Sequence, residues 1–338
     1  MKFAVGYQTP LNGEKFSDIV KTYRDYIGEV YFSWPGLASG RPGNTQTDWT
    51  AQRRLEIELS TLRNMGVKLD LLLNGNCYGS GAVSMALRDN VLSLLEYLAA
   101  HGCCPEIITL TSPFLAHVIA EECSDIELRA SVNMRIGTTQ AMSYAAEYFD
   151  SFYLQRDYQR NLSYVRSVSE WAKANGKKIC LLANSGCLRF CPSQTFHDNL
   201  ISHSHEAEQL KNVDWNPHLC RSVFSDSSRY VELLKETWIR PEDLHYYDGL
   251  VETVKLATRQ HSHPRMVIGA YASQKYEGDL LELFEPGFAS QFFPYYIDNS
   301  RFPADWFEKS GACREGCTNC GYCDTVLKAI LCSYTDLS

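Results

Sequence analysis

An apolar run short enough for a strand, then a loop, then a segment with apolar residues at helical spacing: this unit recurs about eight times, at intervals of roughly 25–40 residues. The pattern predicts strands over Lys2–Gln8, Glu29–Trp34, Lys68–Leu73, Glu106–Leu110, Glu127–Ser131, Ser151–Leu154, Lys178–Ala183 and Glu252–Ala257. Between them it predicts helices over Phe16–Ile27, Thr47–Met65, Val83–Ala100, Phe114–Glu122, Thr138–Tyr148 and Asn161–Asn175, then Ser228–Thr237 and a final helix Arg265–Phe284. No linker rich in Gly, Pro or Ser divides the chain. An open doubly wound sheet has the same local alternation, but a count of eight favours a (β/α)8 TIM-like barrel over 1–285. Beyond it the composition turns aromatic and then Cys-rich, which marks 286–338 as an appendage packed on the barrel.

A barrel of this kind fixes where chemistry is sought, because reactive groups sit on the loops leaving the C-terminal ends of the strands. The seventh such loop is the richest: Asn184-Ser-Gly-Cys187-Leu-Arg-Phe-Cys191-Pro, followed by His197, His203 and His205, with Cys220 further along the same insertion. Cys77 follows strand three, Arg156 and Asp157 strand six, and Arg259 strand eight; Arg41 lies in the Gly/Pro loop after strand two. Cys103 and Cys104 precede strand four and belong to the opposite face, and with Cys123 and Cys180 they read as buried small hydrophobes.

Thirteen Cys in a 338-residue chain with no signal-peptide core at its start argue for metal ligation or redox chemistry rather than a disulfide framework. The expected location is cytoplasmic, and no apolar run approaches the roughly 20 residues of a membrane span. A net charge of −8 without a Lys/Arg cluster disfavours extended nucleic-acid binding.

Cys187, Cys191 and Cys220 are soft ligands that suit zinc or an iron–sulfur centre, and the spacing does not choose between them. A second set, Cys313-x3-Cys317-x2-Cys320-x2-Cys323, is packed like a ferredoxin run, in which one thiol can serve a different cluster. A structural zinc held by those four thiols is the alternative. His197 and His203 are candidates for proton transfer, and Arg156, Arg259 and Arg41 for clamping a carboxylate.

Three blocks resemble the U32 peptidase family. They are Asn184-Ser-Gly-Cys187-x3-Cys191-Pro with Phe196-His197 and Ser202-His203; Gln155-Arg156-Asp157-Tyr-Gln-Arg160-Asn161; and Ile239-Arg-Pro-Glu-Asp-Leu244 leading to Val254-Lys255-Leu256-x-x-Arg259. The resemblance, which runs from strand one to about residue 284, implies a TIM-like barrel carrying a Cys-bound 4Fe-4S cluster. It further implies oxygen-independent hydroxylation of a quinone ring or RNA base, with prephenate as hydroxyl source in some members; the peptidase label comes from collagenase-type members. The family pattern has four Cys near the mouth where this chain has three, so Cys77 is the expected fourth or one iron is left open. The tail set is not general to the family and suggests a second cluster.

The leading expectation is therefore an iron–sulfur hydroxylase or related oxidoreductase acting on a small-molecule or nucleobase-like substrate with a prephenate-like anionic co-substrate. A peptidase using Cys187 with His203 is the second reading, and a non-catalytic electron carrier the third. A partner protein or homo-oligomer is compatible with each.

Overall fold

The computed structural model describes residues 1–41, 48–313 and 320–337. Eight parallel strands close a barrel in chain order: β1 (Lys2–Gly6), β2 (Ile27–Phe32), β3 (Lys68–Leu73), β4 (Ile107–Leu110), β5 (Glu127–Ala130), β6 (Ser151–Tyr153), β7 (Lys178–Leu182) and β8 (Thr253–Leu256). Closure is direct, with Lys2 opposite Thr253 and Val5 opposite Leu256. The connecting helices are α1 (Phe16–Thr22), α2 (Trp49–Asn64), α3 (Met85–Ala100), α4 (Pro113–Glu122), α5 (Thr139–Ala145) and α6 (Leu162–Ala174). The β7 insertion carries α7 (Gln194–Ser202), α8 (Ser204–Glu208) and α9 (Leu219–Phe224), and α10 (Pro264–Ser273) follows β8.

The main core lies between strands and helices, where residues such as Val30, Leu71, Ile108, Val165 and Leu181 are buried. The barrel interior differs. Only Ala4, Tyr31 and Leu72 form an apolar cluster there. Glu29 takes a two-pronged ion pair from Arg129 at 2.6 and 3.1 Å and a hydrogen bond from Thr253 at 3.1 Å. Asp70 accepts from the Thr109 backbone N–H and hydroxyl at 3.0 and 2.9 Å. The usual filling of such barrels is branched apolar side chains, so charge here replaces part of the packing.

Three expected elements need correction. The helix expected over Phe16–Ile27 ends at Thr22, because Ile27 is buried as the first residue of β2. The final helix is not continuous to Phe284: α10 stops at Gln274, which is left-handed (φ 51°), and Gly278 extends the chain before a single turn at Leu280–Leu283. The segment expected as helix Ser228–Thr237 is a run of tighter turns, Ser227–Lys235. Thr47, the expected start of the second helix, lies outside the described residues; α2 begins at Trp49, capped by the Asp48 carboxylate.

After residue 285 the chain forms α11 (Ala289–Phe292), β9 (Tyr295–Ile297), α12 (Trp306–Gly311), α13 (Tyr322–Ile330) and β10 (Leu331–Ser333), with β9 and β10 antiparallel. It is fastened to the barrel by aromatic packing. Trp306 is fully buried against Trp238, and Arg160 lies over both rings at 5.5 and 5.4 Å.

Candidate site at the barrel mouth

The loop after β7 leaves the strand through a rigid exit. The Asn184 amide donates to the carbonyls of Ala257 (3.1 Å) and Leu283 (2.8 Å), and its oxygen accepts from the Ala257 N–H at 2.6 Å. Gly186 follows because nothing larger fits: a Cβ there would lie 2.4 Å from the Pro286 carbonyl oxygen. Asp157 fixes the next turn, its carboxylate accepting from the Phe190 N–H and its carbonyl from Arg189. Arg156 donates to the Cys187 sulfur at 3.1 Å and to the Ser185 hydroxyl at 3.3 Å.

These loops surround a cavity of about 320 Å³ at the C-terminal ends of the strands. Cys187, Cys191 and Cys220 line it, together with Arg156, Arg259, Arg41, His197 and Lys255. Its lining carries Arg41, Arg156, Arg221, Lys255 and Arg259 against only Asp198 and Glu285, so the cavity favours an anion. Arg41 pairs with Glu285 at 3.5 Å, and Arg259 donates to the Ser39 hydroxyl at 3.3 Å.

Burial raises the Cys191 thiol and, with Cys187 beside it, pushes Cys220 up to about 11. Burial also pulls His197 down to about 4, helped by His218, Arg41 and Arg156. His197 is therefore neutral near pH 7, a nitrogen that accepts or ligates rather than one that titrates there. Its ring meets His218 edge-on at 4.8 Å. Behind the thiols, Glu236 is 1% exposed and neither carboxyl oxygen has a hydrogen-bond partner. Burial, then the nearby Cys187, holds it well above the carboxylate range.

Cys77 and His203 stand elsewhere. They line an adjoining cavity of about 700 Å³, which shares Arg41, Arg259 and Ile201 with the first. Helix α7 is the wall between the two. Its Ser202 hydroxyl accepts from the N–H groups of Asn76 (2.8 Å) and Cys77 (3.3 Å), which docks the helix on the β3 loop. His203 is hydrogen-bonded to Cys77, and its Nδ1 lies 2.8 Å from Glu206. Those two partners raise the imidazole, and the imidazole lowers the Cys77 thiol. So the thiol paired with His203 is Cys77, not Cys187, and Cys77 does not share the wall of the other three.

Cys313 and Cys320 are exposed, Cys323 is half-buried on α13, and Cys317 lies outside the described residues. Burial, then Arg189 of the cysteine loop, lowers the Arg160 guanidinium, against Tyr247 and the nearby Cys323. Cys103 and Cys180 are buried as expected, whereas Cys104 and Cys123 are only half-buried.

Glu206, Asp198, His218, Glu236 and Lys255 were not among the expected site residues. Lys255 had a visible signal, since a lysine inside the apolar run Thr253–Leu256 needs an inward-facing partner. Glu236 had none.

No protein-family model matches the chain. A Methanocaldococcus jannaschii protein described as the uncharacterized protease MJ1657 is 22% identical over 324 residues, covering 94% of this chain and 92% of that protein. The solved structure of the U32 peptidase Mk0906 is similar in fold, with a TM-score of 0.52 and 16% identity over 75% of this chain and 92% of that one.

Proposed function

We propose, from a chain whose relatives support its assignment to the U32 peptidase family, an iron–sulfur enzyme working at the barrel mouth. The observation that carries this reading is the convergence of Cys187, Cys191 and Cys220, from two separated stretches, on one wall of a cationic cavity. The donors fit in kind, since thiols are the soft ligands of such centres. The orphaned Glu236 carboxyl behind them is a further oxygen donor that the protein leaves unused. Among the described residues no three His, Cys, Asp or Glu side chains converge at the spacing of ligands to one ion. Zinc ligands sit about 2.3 Å from the ion and so within about 4 Å of one another, whereas thiols on a 4Fe-4S cube are held apart by the cube itself.

When bound, the cluster would supply electron transfer and Lewis acidity. The chain's own residues set the rest. Arg156 donates to the Cys187 sulfur and so fixes where it sits; its own charge is disfavoured by burial but more strongly favoured by Cys187, Asp198 and Asp157. Arg259 and Arg41 provide the anion site for a prephenate-like co-substrate, and neutral His197 accepts a hydrogen bond from the substrate. Oxygen-independent hydroxylation or related atom transfer on a small-molecule or nucleobase-like substrate is the chemistry this arrangement serves. A second cluster, or a zinc ion, is assigned to Cys313, Cys317, Cys320 and Cys323. Protein purified without oxygen should contain iron and acid-labile sulfide and be brown; zinc without iron would overturn the reading.

A hydrolytic second reading is favoured by one contact, the hydrogen bond between Cys77 and a His203 oriented by Glu206. A thiol lowered by its imidazole attacks an acyl carbonyl, and His203 returns the proton to the leaving group. An activated ester should then acylate Cys77, and Cys77→Ser should abolish the label in peptide maps. Labelling spread evenly over the exposed thiols would remove this reading.

A further inference from the structure

The deepest cation of the mouth cavity is not an arginine. Lys255 lies on β8, 9% exposed, and its Nζ sits 3.9 Å from the centre of the Tyr31 ring and 5.3 Å from that of Tyr153. Burial lowers the ammonium below the ordinary lysine range; Arg259 and Arg129 push the same way, against Asp70 and Glu29. Neither carboxylate is held for Lys255 alone. Asp70 is engaged by Thr109, and Glu29 by Arg129 and Thr253. Tyr153 adds a buried hydroxyl with no hydrogen-bond partner. A buried amine of this kind, facing a cavity rather than closed in a salt bridge, is arranged for covalent chemistry with a carbonyl.

The cavity also selects what carries the carbonyl. Lys255 shares it with Arg259 and Arg156, groups suited to a carboxylate. We propose that Lys255 forms a Schiff base with a small 2-oxo acid, whose carboxylate is held by Arg259 and whose ketone carbon faces the amine. The neutral amine adds to the carbonyl carbon, giving a carbinolamine. Its hydroxyl leaves as water, taking up the proton that the ammonium gave up, and the nitrogen keeps one proton as a protonated imine. Summed from the ammonium form, one C=N bond replaces one C=O bond and one water is released, with no oxidant or reductant. The proposal rests on the reading of the mouth cavity as the substrate site, but not on the identity of any metal there.

The test is reductive trapping. The anaerobically purified protein is incubated with pyruvate and borohydride, and its intact mass and peptide map are recorded. One reduced pyruvyl adduct on Lys255 is expected, absent from Lys255→Met, with Arg259→Met reducing trapping of pyruvate by at least about tenfold, the loss of one charged hydrogen bond, while trapping of acetaldehyde changes far less. No adduct on the wild-type protein, or the same adduct on other lysines with Lys255 unlabelled, overturns the proposal whether or not the variants fold. The two readings fail separately. Zinc in place of iron with Lys255 labelled would sink the cluster and leave the amine, whereas iron with no label would do the reverse.

Discussion

Glu127 begins β5 at the end of the barrel away from the mouth, and its carboxylate accepts from Lys178 at 2.6 Å, Ser151 at 2.7 Å and Arg129 at 2.8 Å. Burial opposes its charge, but Arg129, Lys178 and Ser151 outweigh that and hold it down at about 2, against an ordinary 4.5. A depressed carboxylate stabilises the fold above its unfolded value and loses that contribution as pH falls through the folded one. The contribution is roughly 3 kcal/mol near neutrality. Glu127→Gln should therefore lower stability to denaturant by about 2–3 kcal/mol at pH 7. The gap to wild type should narrow as pH falls from 4.5 towards about 2. A gap independent of pH would mean that Glu127 contributes shape rather than charge.

At the scale of elements, most of the barrel was legible and most of its interior was not. β3 matches its expected bounds, and the other strands and α2, α3, α4 and α6 differ by one or two residues at one or both ends, because apolar runs and Gly or Asn stops report local preferences that the barrel does not override. The helix after β8 was over-extended because the apolar periodicity resumes at Leu280 after a break. The helix ends at the left-handed Gln274, and what keeps it from resuming is partly non-local: the Asp279 carboxylate accepts from the N–H groups of both Leu281 and Ile297, tying the chain to β9. The cysteine insertion read as a polar loop, yet it folds into three short helices, one of which separates two cavities. The same limit explains the site. Cys187 and Cys191 were legible as neighbours in the sequence, and Arg156 by its place after a strand. The pairing of Cys77 with His203 spans the β3 and β7 loops, and the unpartnered Glu236 depends on what surrounds it in three dimensions; no local pattern encodes either.

For the whole molecule, the proposed iron–sulfur reading turns on whether the mouth and the tail would hold one centre or two. The mouth thiols sit in loops pinned to the barrel by Asn184, Asp157 and a Gly186 pressed against Pro286, and those contacts do not involve the tail thiols. The tail is joined to the barrel through Trp238, Trp306 and Arg160, a packing contact that survives loss of a thiol. Two centres held by separate segments should be separable. Changing Cys317 and Cys320 to Ala should then remove roughly half the iron and leave the mouth cluster in place. Changing Cys187 and Cys191 should remove the other half, and with it the contact that orients Arg156. Pyruvate trapping at Lys255 should persist in both variants, because its ligands lie on β8 and its loop. If a single cluster drew ligands from both segments, either pair of changes would bleach the protein, since a cube stripped of two thiols is poorly held. Iron and sulfide counts on the two double variants, purified anaerobically, decide the matter: roughly half of the metal in each means two centres, and near-total loss in both means one shared centre bridging mouth and tail.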